Sequence, residues 1–283
     1  MKITDKVKEL IALTLREDIG NGDHSSLSCI PAEAQGDMKL LIKQDGVLAG
    51  VDVAREVLRQ VDENIRMEVM LNDGTQVKKG DIAFTLHGSS RNMLTAERTL
   101  LNFMQRMSGI ATTTREYVDL VRDTNVILLD TRKTTPGLRV FEKYAVLCGG
   151  GTNHRMGMYD RILMKDNHRR LWKGGNPDEL DQAVAAARKA FPKLAVEVEV
   201  ESLRECASAL KAKPEWIMLD NMSCADMKAC VKMCKGISKT EASGGITLDR
   251  AREVAATGVT AISLGCLTHS AGSVDLSLEW KAV

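Results

Sequence analysis

Residues 195–221 read AVEVEVESLRECASALKAKPEWIMLDN. An apolar run, Ala195–Val200, carries Glu199 near its carboxyl end and gives way to a helical pattern at Ser202–Leu210, with Ser202 at the N-cap. A second run, Trp216–Leu219, stops at Asp220-Asn221. Strand, helix, strand is the unit of a parallel sheet buried by helices. The rhythm extends in both directions. Val126–Leu129 runs into Asp130-Thr131-Arg132-Lys133, and Arg161–Met164 into Lys165-Asp166-Asn167-His168. Ile237–Thr240 runs into Glu241-Ala242-Ser243-Gly244-Gly245, and Ala261–Leu264 into Gly265. Helical patterns at Asp178–Ala190 and at Leu248–Ala256, the latter with Thr247 as N-cap, separate the runs. Such units close more naturally into an α/β barrel than into an open sheet, although an open doubly wound sheet has the same pattern.

Polar residues at the strand ends point to the site. In a barrel all carboxyl ends open onto one face, where active sites lie. A strand ending at its first polar residue accounts for any one of these charges, and poorly for the whole row. Sorted by sign, the expected pocket holds Arg132, Lys133, His154, Arg155 and Lys165 as donors and Glu199 and Asp220 as carboxylates. The ligand is therefore expected to be polyanionic, because guanidinium groups grip carboxylate or phosphate in a planar fork. The two carboxylates suit hydroxyls or Mg²⁺. Ser243-Gly244-Gly245 and Leu264-Gly265-Cys266 follow the last two apparent strands, where barrels frequently bind phosphate on backbone N–H groups. Cys148-Gly149-Gly150-Gly151 reads as a close-packed loop that delivers His154 and Arg155.

The first ~110 residues lack this rhythm and suggest an α+β unit. A helix is expected over Asp5–Glu17, strands over Met38–Ile42, Ile65–Met70 and Ile82–His87, and helices over Leu94–Met107 and Thr112–Arg122, separated by Ser108-Gly109. The turns at Gly74 and Gly80 superficially suggest a swinging-arm carrier domain, but Lys78-Lys79 lacks its hairpin motif. The expected division is an α+β domain at 1–110, a barrel domain at 111–267, and a tail, 268–283, returning to the first domain.

Composition bounds the function. The 283 residues carry 39 Lys plus Arg against 38 Asp plus Glu, a net charge of +1, with 44% hydrophobic and 4% aromatic residues. At ~150 residues per domain the length fits two domains or one barrel with an appendage. A balanced charge and few aromatics argue against a nucleic-acid partner, and no long apolar run suggests a membrane. Seven cysteines in a long chain read as reduced thiols of a cytoplasmic protein. The tightest group, Cys224, Cys230 and Cys234, lacks paired zinc spacing and reads as core packing.

These segments together resemble the quinolinate phosphoribosyltransferases. The resemblance runs through Leu94-Thr95-Ala96-Glu97-Arg98-Thr99, Asp130-Thr131-Arg132-Lys133-Thr134-Thr135-Pro136-Gly137, Gly149-Gly150-Gly151, Asn153-His154-Arg155, Lys165-Asp166-Asn167-His168, Glu197-Val198-Glu199-Val200, Leu219-Asp220-Asn221, Ser243-Gly244-Gly245 and Leu267-Thr268-His269-Ser270. It implies an α/β fold in which an N-terminal α+β open-faced sandwich joins an incomplete α/β barrel, working as a homodimer or larger assembly. It implies that Thr131, Arg132, His154, Arg155 and Lys165 surround quinolinate, with Arg98 supplied across the subunit interface. Lys133 would lie near the reacting carboxylate and diphosphate, Glu199 and Asp220 would hold the ribose and Mg²⁺, and Ser243, Gly244, Gly245, Leu264, Gly265 and Cys266 would line the phosphate site. The implied catalytic set is Lys133, Lys165, Glu199 and Asp220, with phosphoribosyl diphosphate as second substrate. Cys266 stands where the family usually has alanine, a change that a backbone contact tolerates. Molybdenum-associated paralogues lack the Lys-Asp-Asn-His run, so its presence favours quinolinate. The rival readings are a transferase of the same fold acting on nicotinate, for which the donors are oversupplied, and a non-catalytic phosphoribosyl-ligand sensor, against which the intact carboxylates and lysines argue.

Overall fold

The computed structural model describes residues 1–172 and 179–281. In chain order the first elements are α1 (Asp5–Ile19), α2 (His24–Cys29), β1 (Gln35–Ile42), β2 (Gly46–Val47), α3 (Val51–Val61), β3 (Arg66–Val69), β4 (Gln76–Val77), β5 (Ile82–Ser89) and α4 (Ser90–Val121). They are followed by β6 (Ile127–Leu129), α5 (Arg139–Cys148), β7 (Ile162–Met164), α6 (Asp166–Leu171), α7 (Leu180–Ala190), β8 (Val196–Val200) and α8 (Leu203–Leu210). The last are β9 (Trp216–Asp220), α9 (Cys224–Cys234), β10 (Lys239–Ser243), α10 (Leu248–Ala255), β11 (Ala261–Ser263), α11 (Cys266–His269) and β12 (Leu276–Trp280). Asp178, where the sequence pattern starts the helix now seen as α7, lies outside the described residues.

Two compact units divide the chain. The first comprises Met1–Arg115, Thr134–Gly150 and Leu267–Val283, the second Glu116–Lys133 and Gly151–Cys266. The first unit holds an antiparallel sheet in the order β12-β1-β5-β3. In β1, residues Met38, Leu40 and Ile42 alternate inward, and Leu40 stands opposite Phe84 on one side and Leu278 on the other. This period-2 face is what a half-buried strand requires. Val7, Ile11 and Leu15 form a buried stripe on α1, which packs on α3. At the turn of Lys78-Lys79, the two backbone N–H groups donate to Asp81 and Asp45, both at 2.8 Å. These are ordinary turn contacts.

Residues Thr134–Gly150, placed by sequence rhythm in the second domain, belong to the first unit. The reason is the buried Glu142 carboxylate, which accepts from Thr135 Oγ1 at 2.8 Å and from Arg106 of α4 at 3.1 Å. Burying that charge requires such partners.

Sequence reading breaks α4 at Ser108-Gly109, yet the helix runs unbroken for 32 residues. Neither residue acts as a stop. Ser108 Oγ accepts the Ala49 N–H at 3.0 Å and sits buried. A Cβ on Gly109 would lie 2.0 Å from the backbone oxygen of Gly272, so the glycine marks a close approach of two chain segments.

The second unit is built on six parallel strands in the order β6-β11-β10-β9-β8-β7. The end strands β6 and β7 do not pair with each other among the described residues; β6 bridges Thr152 instead. The layer is thus an open α/β sheet of barrel type. The strand expected at Ile237–Thr240 lies further along, at Lys239–Ser243, with Ile237 exposed and Glu241 inside the strand. Cys206 joins Cys230 and Cys234 in the core, its Sγ 3.7 Å from that of Cys234, while Cys224 meets Glu253 and Arg250 on α10.

In Gly109→Ala, the alanine's better helix propensity is outweighed by the clash with Gly272, and unfolding free energy falls by about 1–3 kcal/mol. Denaturant melts of the two proteins read this difference directly.

Candidate active site

Parallel register decides which side chains share a face. Leu163 pairs with Glu197, Glu199 with Met218, Met218 with Glu241, and Asp220 with Ser243. Paired residues point the same way and every second residue repeats the direction. One face of the sheet therefore carries Glu197, Glu199, Met218, Asp220, Glu241, Ser243 and Ser263. The valines of Val196-Glu197-Val198-Glu199-Val200 take the opposite face, and all five residues are buried.

A cleft of about 690 Å³ opens over that polar face. It is lined by Thr131, Arg132, Lys133, His154, Arg155, Lys165, Asp166, Asn167, Glu199, Asp220, Asn221, Glu241, Ser243, Gly244, Gly245 and Ser263, with Leu163 and Met218. Thr131, Arg132, Lys133 and Lys165 come from segments just past β6 and β7. Lys165 caps α6 and its ammonium lies 3.5 Å from Glu199. Burial raises the Glu199 carboxyl above its usual range, the charge of Asp220 adds to the rise, and Lys165 opposes it. Burial and then the neighbouring Arg132 charge lower the pKa of Arg155, so two guanidinium groups crowd one another in the cleft. Such crowding is relieved by an anion between them.

The glycine loop is fixed by the turn beside it. Asn221 adopts φ +51°, its N–H donates to Ser243 O at 3.0 Å, and its side chain donates to Asp220 at 2.8 Å. Gly244, at φ +92°, packs so that a Cβ would lie 2.3 Å from Asn221 Oδ1. Gly245, at φ +56°, has no neighbour within 4 Å of its Cβ position. One glycine thus permits close packing and the next leaves open backbone towards the cleft, followed by α10. That combination suits a phosphate monoester.

Beneath the cleft lies a buried polar cluster. Thr152 bridges β6, which brings His154 over Asp130, and the His154 N–H donates to Asp130 at 2.8 Å. The imidazole Nε2 stands 3.2 Å from Glu197 and 3.3 Å from Glu241, and Arg161 reaches Glu197 at 3.3 Å. Burial disfavours a charged ring, whereas hydrogen bonding to the two glutamates and their charge, when both are ionised, favour one and raise the His154 pKa. Nδ1 is held differently, accepting the Arg155 N–H at 2.7 Å. A nitrogen that accepts carries no proton, so this geometry is that of the Nε2–H tautomer. Against burial, His154 and Arg161 draw the Glu197 carboxyl down, while burial and the Glu197 charge raise Glu241. His154, Glu197 and Glu241 each place a ligand atom within 4.8 Å of the others. A cation there would have to displace the proton on Nε2 and compete with Arg161 for Glu197, and proton sharing accounts for the arrangement without one.

The structure brings together in one cleft Thr131, Arg132, Lys133, His154, Arg155, Lys165, Glu199, Asp220, Ser243, Gly244 and Gly245, as the sequence grouped them. Leu264, Gly265 and Cys266 sit at the end of β11 outside that lining; Leu264 N–H donates to Leu129 O at 2.9 Å and the Cys266 thiol reaches Tyr117. Arg98 is an exposed residue of the first unit on α4. Sequence reasoning missed the roles of Asp130, Glu197, Glu241 and Asn221. The glutamates were legible in principle, because two of them alternating with valines in a buried strand must share a face.

Residues 110–279 match the family model described as the C-terminal domain of quinolinate phosphoribosyl transferase, and residues 23–108 match its N-terminal domain. The chain belongs to the quinolinate phosphoribosyltransferase family. It is 41% identical over 275 residues to a Bacillus subtilis protein named as a probable carboxylating nicotinate-nucleotide pyrophosphorylase, covering 97% of this chain and 93% of that one. A chloroplastic enzyme of that name from Oryza sativa subsp. japonica is 40% identical over 295 residues, covering 98% of this chain and 78% of the relative. Among solved structures, NadC from Streptococcus pyogenes superposes with a TM-score of 0.94 at 37% identity, covering all of both chains.

For this family member, Gly244→Ala forces Asn221 aside and strains φ. The variant should bind ribose 5-phosphate at least about tenfold more weakly by calorimetry. Its circular dichroism spectrum should stay unchanged.

Proposed function

We propose that this chain transfers ribose 5-phosphate from phosphoribosyl diphosphate to the ring nitrogen of quinolinate. Loss of the adjacent carboxylate as CO₂ then gives nicotinate mononucleotide and diphosphate, a step of de novo NAD synthesis. The observation that carries the reading is the division of the cleft. Arg132, Arg155 and Lys165 gather positive charge, and Glu199, Asp220 and the Ser243-Gly244-Gly245 loop offer hydroxyl and phosphate recognition in the same cleft. A dicarboxylated ring and a phosphorylated sugar need that pairing of chemistries.

In this reading Thr131, Arg132, Arg155 and Lys165 surround quinolinate, with His154 beneath them. Lys133 neutralises diphosphate, and Ser243, Gly244 and Gly245 hold the ribose phosphate. Breaking the bond between C1 and diphosphate leaves positive charge on the ribose, which the Glu199 and Asp220 carboxylates stabilise in place. No covalent nucleophile is required. Once the ring nitrogen carries the ribose it is positively charged, so the electron pair left by departing CO₂ is stabilised beside it. The protein then has only to orient and desolvate the carboxylate.

Glu199 and Asp220, two carboxylates lining one cleft, form a donor set that fits Mg²⁺, a cation that takes one or two carboxylates and fills its shell with water and substrate oxygens. When bound there, Mg²⁺ would supply charge to the leaving diphosphate.

Quinolinate, phosphoribosyl diphosphate and Mg²⁺ incubated with the protein should yield nicotinate mononucleotide and CO₂ in equal amounts. Nicotinate should not replace quinolinate, and a chelator should stop turnover. Arg132→Ala and Arg155→Ala should each lose at least about a hundredfold in kcat/KM for quinolinate, since each leaves a substrate carboxylate unpaired. Near-normal rates in both variants, or turnover with nicotinate alone, would remove the assignment.

No helix among the described residues is long and apolar enough to cross a membrane. All seven cysteines are free thiols, which supports a reducing compartment, and we assign the chain to the cytoplasm. The active form is a homodimer or larger assembly, with the exposed Arg98 reaching the partner's cleft. Mixing inactive Arg98→Ala with inactive Arg132→Ala then restores activity, to about a quarter of wild type for random dimers, since one cleft in each mixed pair is whole. Absence of recovery after verified subunit exchange would place Arg98 elsewhere.

A further inference from the structure

The cluster beneath the cleft has an order that the substrate contacts do not explain. His154 receives the Arg155 N–H on Nδ1 at 2.7 Å, so its single remaining ring proton lies on Nε2. That proton meets two carboxylates, Glu197 at 3.2 Å and Glu241 at 3.3 Å. One N–H cannot serve two anions, and two carboxylates side by side in a buried site are strongly unfavourable. Glu197 has a second cation, Arg161, at 3.3 Å. Among the described residues Glu241 forms its ion pair with His154, and it is fully buried in the middle of β10. The arrangement closes when Glu241 carries a proton and bridges Glu197 and His154 as a neutral acid.

We propose that Glu241 is a positioning residue for the acid-binding half of the cleft: by bridging Glu197 and His154 it keeps His154 in the Nε2–H form, whose Nδ1 holds the Arg155 peptide and so aims Arg155 at the substrate carboxylates. Glu241 lines the floor of the cleft, but both of its carboxylate oxygens are buried, so the role acts through His154. It ties β10 to β8 and, through His154 and Asp130, to the segment after β6. Loss of the bridge leaves His154 free to take a second proton on Nδ1. Nδ1–H and the Arg155 N–H would then be two donors facing one another, and the Arg155 peptide must turn away.

The proposal rests on the quinolinate reading for its kinetic arm, and on the protein alone for its spectroscopic arm. Glu241→Leu removes the carboxyl that faces His154 at similar volume. Glu241→Gln keeps a neutral group with one acceptor for His154 and one donor for Glu197. With wild-type enzyme assayed in parallel, Glu241→Leu should raise the quinolinate KM by about tenfold or more while the phosphoribosyl diphosphate KM moves less than about twofold; Glu241→Gln should recover most of that loss. In ¹⁵N-histidine spectra of the unliganded protein, His154 should show the Nε2–H tautomer at neutral pH in wild type and Glu241→Gln, and lose it in Glu241→Leu. Equal rises in both KM values, a Gln variant as impaired as the Leu variant, or a doubly protonated His154 in wild type at neutral pH would each overturn the proposal. Failure of wild type itself to use quinolinate, with the ring spectra as expected, would instead count against the function and leave the positioning role standing.

Discussion

Burial of carboxylates within a parallel sheet is the constraint on which the second unit turns. Parallel strands covered by helices are ordinarily aliphatic on both faces, yet here one face carries Glu197, Glu199 and Glu241. Each needs a partner at the same depth, since an uncompensated buried charge costs several kcal/mol. Arg161 and His154 meet Glu197, and Lys165 meets Glu199. These partners all come from the segments flanking β7. The need to neutralise the sheet's acids therefore fixes where those segments lie, and with them the cations that face the cleft.

The same logic separates what the sequence made legible from what it hid. The strand-helix rhythm after Val126 is a local signal, and it located the parallel strands and the residues after β6 and β7 correctly. Strand edges were less legible. Ile237 looks like the start of a strand because it is apolar, but it is exposed, and pairing with β9 shifts the strand to Lys239–Ser243. Glu241 consequently moves from a loop into the core, which a reading that ends strands at polar residues cannot see. Gly109 failed for a related reason. Its neighbour Gly272 is far away in sequence, so a glycine required by close packing looked like a helix break.

Histidine 154 shows a third kind of opacity. Sequence placed it among the cationic donors of the pocket, a reasonable grouping because it precedes Arg155. The structure gives its ring nitrogens protein partners, Arg155 N–H on one side and the paired glutamates on the other. No residue list distinguishes a histidine that meets a ligand from one that supports a neighbour. That distinction lives in which nitrogen accepts, a fact of geometry alone.

The net charge of +1 gives this chain no long-range field with which to gather a polyanion. Recognition must come from charges concentrated locally, and concentration has a cost in the unliganded state. Burial, and after it the charge of Arg132, lower the Arg155 pKa, while Glu197 and Asp160 partly offset them. The fold holds this arrangement through contacts away from the cleft mouth: the Arg155 N–H on His154, and Arg155 Nη1 on the Arg161 carbonyl at 3.2 Å. A dicarboxylate entering the cleft releases the repulsion without any rearrangement of the scaffold. The Arg155 N–H on His154 and its guanidinium on the Arg161 carbonyl thus hold one cation in place beside another, where a dicarboxylate can meet both.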